Sequence, residues 1–119
     1  MIEISYQNVT NGINHGINMK LICSSRYQAD YLFKNACDLW YIKDFATYNK
    51  SNLSLTYGVN PVFIQCVSIL NLTMEQVHGF TGAFLTHPSL ISDVGSFPFN
   101  EIIQAMDYHN TRYIDKWPA

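Results

Sequence analysis

From Ile2 to Cys23 apolar side chains recur at every second position, on either side of an Asn11-Gly12 pair. Ile2, Ile4 and Tyr6 form one alternating set, and Ile13, His15, Ile17, Met19, Leu21 and Cys23 the next. Alternation puts one face of an extended chain on a core, and Asn-Gly tolerates the positive φ of a tight hairpin turn. The pattern predicts strands over about 2–9 and up to Cys23, with Gly16 as a bulge or bend. Ser25 then stands three residues before Gln28, the spacing of a capping box, and Ala29, Leu32, Phe33, Ala36, Cys37 and Trp40 follow at helical intervals.

Later segments carry fewer constraints. Thr47 to Ser54 reads as a polar loop. Asn52 to Tyr57 alternates and ends at Gly58, which predicts a third strand. Asn60-Pro61 has the form of a helix start, so Val62 to Leu70 reads as a buried helix despite its β-branched content. Thr73 to Gln76 forms a second capping box and predicts a helix to about Thr86, ended by His87-Pro88. A loop follows to about Phe97, and a last helix spans about 100–114.

Together these elements predict an α+β fold in a single domain, residues 1–119. A small antiparallel β-sheet, an N-terminal hairpin plus one further strand, packs against a long helix and a C-terminal helical layer. The expected core is single: Ile4, Tyr6, Ile17, Leu21, Leu32, Phe33, Ala36 and Trp40 with Ile64, Val67, Ile103 and Met106. A chain of 119 residues suffices for one such core.

Composition limits the partners. Seven cationic side chains against nine carboxylates give a net charge of −2, too few cations for the phosphate array of a duplex, so nucleic acid is disfavoured. The stretch from Thr73 to Ser92 has no Lys or Arg, which excludes a helix-turn-helix reading. Charged residues make up 13% of the chain and aromatic residues 14%. That balance resembles a protein contact surface, which enriches rings and depletes Lys and Glu. Tyr41, Tyr48, Tyr57, Tyr113 and Trp117 are the interface candidates. The expectation is a non-enzymatic protein acting by contact with another protein, or with itself as a homo-oligomer. The Asn-, Ile-, Tyr- and Lys-rich composition suits a phage or mobile-element inhibitor of a host defence protein.

The N-terminus lacks a basic region followed by an apolar run, and no segment reaches the length of a membrane span. A soluble, cytoplasmic protein without a membrane partner is expected. Three cysteines, Cys23, Cys37 and Cys66, and four scattered histidines have no ligand spacing, so no metal and no cofactor is assigned.

Two features carry an alternative, a small phosphoesterase or nucleotide-binding protein. Ser24, Ser25 and Arg26 stand at a strand-to-helix junction, where N–H groups, hydroxyls and a guanidinium hold anions. His87-Pro88-Ser89 and His109-Asn110-Thr111 each read His-x-Ser/Thr, which resembles the paired signature of the two-histidine phosphoesterases. That resemblance implies His87 and His109 as acid and base, with hydroxyls holding phosphate oxygens.

Overall fold

A computed structural model describes residues 1–36, 46–58, 61–92 and 99–117. Among these, six strands form one mixed sheet: β1 (Ile2–Glu3), β2 (Met19–Cys23), β3 (Ala46–Asn49), β4 (Ser54–Tyr57), β5 (Val62–Ser68) and β6 (Ala83–Thr86). Their spatial order is β1-β6-β2-β5-β4-β3. The first four in that order are mutually parallel, and β4 and β3 extend the sheet antiparallel. The class remains α+β, but the predicted small antiparallel sheet is replaced by a six-stranded mixed one with helices on both faces.

The hairpin expected at Asn11-Gly12 does not form. Ser5 accepts the backbone N–H of Asn8 and caps α1 (Tyr6–Asn14), which contains both turn residues. Gly12 sits where a Cβ would come within 2.4 Å of the Met19 sulfur, so its role is close helix–sheet packing. Gly16 is no bulge. At φ 66° it ends α1, while its N–H bonds Ile13 and that of Ile17 bonds Gly12, the paired bonds of a Schellman cap.

Ser25 caps α2 (Arg26–Lys34) through the N–H of Gln28 as expected, but the box is not closed, because Gln28 Oε1 takes the Ser24 N–H instead of that of Ser25. Ala29, Phe33 and Ala36 of the predicted stripe are buried and Leu32 half-buried, while Cys37 and Trp40 lie outside the described residues. The supposed loop at Thr47 to Ser54 contains β3 and a turn into β4.

Val62 to Ser68 is β5, not a helix. Val62, Ile64, Cys66 and Ser68 are buried, and Phe63, Gln65 and Val67 only partly, so the two-residue period and the β-branched side chains prevail over the Asn-Pro start signal. The Thr73 capping box is present, with both bonds, but its helix α3 (Met74–Gly79) is short. Ala83 to Thr86, predicted as helix, is β6, buried on both faces as a central parallel strand must be. Pro88–Ser92 is a short helix, α4, where a loop was expected, and α5 runs Asn100–Asn110 before a 3-10 segment, Thr111–Lys116.

Apolar packing is split in two by the sheet. On one face, α1 and α2 contribute Val9, Ala29 and Phe33 to Met19, Leu21 and Ile64. On the other, Val77, Leu90, Ile103 and Met106 cover Ile22 and Phe84. The connections from β1 to β2 and from β2 to β5 run one way along the sheet, and that from β5 to β6 runs back. Reversing direction and face together is what right-handed crossovers require. Tyr6, placed in the core by its pattern, is 54% exposed on α1. Among the described residues no helix is long and apolar enough to cross a membrane.

Candidate functional site

The helical layer of α3, α4 and α5 covers only part of its face. In-register pairing places Phe84, Lys20, Gln65 and Ser54 in one row across β6, β2, β5 and β4. Phe84 lies fully under the helices, whereas Lys20 and Gln65 are half-buried beyond them. A cleft of about 240 Å³ opens there. Lys20, Arg26, Gln65, Asn71 and Gln76 line it, with Asn52 and Ser51 from the β3–β4 turn.

The cleft is electrostatically one-sided. Neither Lys20 nor Arg26 has a carboxylate within ion-pair distance among the described residues; the pairs found there are Lys34–Asp30 and the N-terminal amine with Asp107. The Lys20 ammonium instead lies 4.9 Å from the centre of the Phe80 ring. Burial lowers the Lys20 pKa, because the charged form is partly withdrawn from water without an anion to balance it. A ring face returns only about 0.5–1 kcal/mol at an accessible site, so an anion in the cleft would stabilise this ammonium further.

The predicted anion residues divide. Ser25 is occupied as a helix cap, through Gln28 N–H at 3.1 Å. Ser24 donates its N–H at 2.8 Å and its hydroxyl at 3.1 Å to Gln28 Oε1. Arg26 alone of the three lines the cleft.

Ser24 and His87, which the sequence assigns to separate sites, come together in the fold. Ser89 Oγ lies 3.4 Å from Ser24 Oγ and receives Gln28 Nε2 at 3.2 Å. His87 Nδ1 accepts the Ser89 N–H at 3.1 Å and stands 3.0 Å from Ser89 Oγ. This assigns the ring proton to Nε2 and makes the imidazole a cap for α4. Burial lowers the His87 pKa, against a smaller raising effect of Glu3, and the neutral ring is the form that caps. The network ties the first turn of α2 to the end of β6 and so fixes Arg26 at the cleft rim.

The two-histidine arrangement does not assemble. His109 is buried, with Nε2 2.7 Å from the Gly82 carbonyl and its ring against Phe84. His87 follows the opposite end of β6, so a strand of four residues, on the order of 13 Å, separates the partners. His15, expected on a strand, ends α1 with Nδ1 on Asn11 O.

The interface candidates mostly face inward. Tyr48 packs edge-on against Phe33, and Tyr57 lies against the core. Tyr113 sits beside His109 and Trp117. Trp117 is buried and donates Nε1 to Asn8 O at 3.0 Å. Tyr41 lies outside the described residues. A larger hollow of about 350 Å³ runs beside α2 over Phe33 and Leu53, but Asp30 answers Lys34 at its rim.

Lys20 and Gln65 were not singled out from the sequence. The available signal was Lys20 itself, a charge inside the apolar run Met19 to Cys23. No known protein family, no curated protein and no solved structure matches the chain.

Proposed function

We propose that the protein binds a small phosphate-bearing ligand in the cleft between β5 and the first turn of α2. One observation carries this reading: two cationic side chains, Lys20 and Arg26, line a cleft whose described walls contain no carboxylate. Two cations suit a dianionic phosphate, with Arg26 able to bind two oxygens through its planar fork and Lys20 acting as a point charge. The position is consistent with it. In open sheets with parallel strands, ligands collect at the carboxyl ends where successive connections leave to opposite faces, as those of β2 and β5 do here. Binding rather than hydrolysis is the role proposed, because the described lining offers the Ser51 and Ser68 hydroxyls but no histidine or carboxylate to activate them.

The test is thermal unfolding in phosphate against chloride at matched ionic strength. Phosphate at about tenfold its Kd adds about 1.4 kcal/mol of stability. The expected result is a rise in Tm for the natural protein that is absent in the Lys20→Met/Arg26→Ala double variant. An equal response of both proteins, or none from either, defeats the reading.

A second reading, contact with another protein, draws on a different pair of residues from those the composition suggested. Tyr27 and Tyr31 stand one helical turn apart on α2, 81% and 62% exposed. Light scattering over a range of concentrations tests the simplest partner, a second copy. A mass that rises with concentration and is held at the monomer value by Tyr27→Ser/Tyr31→Ser supports it. A constant mass in the natural protein removes it.

A further inference from the structure

Resting on the phosphate-binding reading, we infer that the organic part of the ligand is a small polyhydroxylated, sugar-like skeleton and not a nucleobase. The walls beyond the two cations are amides, Gln65, Asn71, Gln76 and Asn52. Part of this set is spent within the protein: Gln65 Nε2 donates to the Asn52 carbonyl, Asn52 Oδ1 accepts the Ser54 hydroxyl, and Gln76 Oε1 accepts the Thr73 N–H. The acceptor Gln65 Oε1 and the donors Asn52 Nδ2 and Gln76 Nε2 remain beside the Asn71 amide, a mixture that matches hydroxyls, which both give and receive hydrogen bonds.

A base needs a flat apolar surface to stack on, and that is missing. The described lining contains no aromatic ring, and its apolar side chain on this face is Val67, since the Cys66 thiol lies in the layer under α1 and α2. Phe80, the ring beside Lys20, already has that ammonium over its face. Without a ring beneath it, a base forgoes the roughly 1–3 kcal/mol that stacking supplies. Size agrees. At about 240 Å³ the cleft is smaller than the roughly 300–1,000 Å³ of sites that enclose larger ligands.

Titration calorimetry with inorganic phosphate, ribose 5-phosphate and AMP decides the matter, since the last two differ in the base. Ribose 5-phosphate is expected to bind about tenfold tighter than phosphate, and AMP no tighter than ribose 5-phosphate. Gln65→Leu and Asn71→Ala are expected to reduce the preference for ribose 5-phosphate over phosphate, both measured in the same variant. AMP binding tighter than ribose 5-phosphate, or ribose 5-phosphate no tighter than phosphate, overturns this inference alone. Absence of any phosphate binding overturns the function reading and this one with it.

Discussion

Asn110 does the work of a missing piece of strand. β1 pairs with β6 only at Leu85 and Thr86, which leaves Phe84 without a strand neighbour on that side. The Asn110 amide fills the gap: Oδ1 accepts the Phe84 N–H at 2.8 Å and Nδ2 donates to the Phe84 carbonyl at 2.6 Å. Both groups are buried, and each would lose its partner in Asn110→Ala. At about 1–3 kcal/mol for an orphaned buried group, the expected cost is about 2–4 kcal/mol, read as a lower urea midpoint at unchanged slope. A cost below about 1 kcal/mol would show that water replaces the amide. His87 governs a pH effect at the same scale. Burial holds its pKa below the ordinary 6.5, so as pH falls the unfolded chain takes up the proton first. Stability from the neutral ring is therefore full above about pH 7 and declines as pH falls through the folded pKa. His87→Asn keeps a capping acceptor without titrating, and its Tm between about pH 8 and about pH 5 is expected to fall less than that of the natural protein.

Glycines separate the elements by what their missing side chain permits. Gly16 ends α1 with positive φ, and an alanine there incurs about 1–2 kcal/mol of left-handed strain although the space is open. Gly79 closes α3 with nothing within 4 Å of a built Cβ and no positive φ. Alanine at Gly79 is expected to stabilise by about 0.4–1 kcal/mol, while alanine at Gly16 destabilises. Urea unfolding of both variants checks the pair, and a common sign for the two would refute the assignment. The same glycines explain what the sequence disclosed. Caps at Ser25 and Thr73 were legible because a hydroxyl and a glutamine three residues later act locally. α1 was not, because Ile2, Ile4 and Tyr6 mimic a strand and Gly12 mimics a turn residue, although its purpose is contact with Met19. β6 was hidden because a capping box gives a helix its start, while Gly79 and Gly82 that stop it read equally as packing glycines. Gly82 in fact admits the Asn18 carbonyl, 2.3 Å from where its Cβ would lie.

Strand order belongs to the whole molecule, and nothing local encodes it. β1, β6, β2 and β5 are neighbours through parallel pairings whose partners lie tens of residues apart, so only the assembled sheet defines them. The cleft was illegible for the same reason. Lys20 and Gln65 become a row only once β2 lies beside β5, and Arg26 joins them only when Ser24, Gln28 and Ser89 draw α2 toward β6. One consequence is cooperativity, because both apolar layers share the same sheet and neither can open without exposing strands of the other. Cys23 on β2 and Cys66 on β5 report on it. Burial raises the Cys23 thiol to about 12 and raises that of Cys66 too, with the nearby Cys23 adding to the effect. Only a thiolate reacts, so both should be inert until the sheet opens. In a Cys37→Ser background, a thiol reagent is expected to modify neither cysteine in the native protein. As urea rises, the logarithm of the labelling rate should climb with the slope of global unfolding. Labelling that proceeds at low urea with a shallow slope would mean that the face under α1 and α2 opens by itself, and the two layers would then be separate cooperative units.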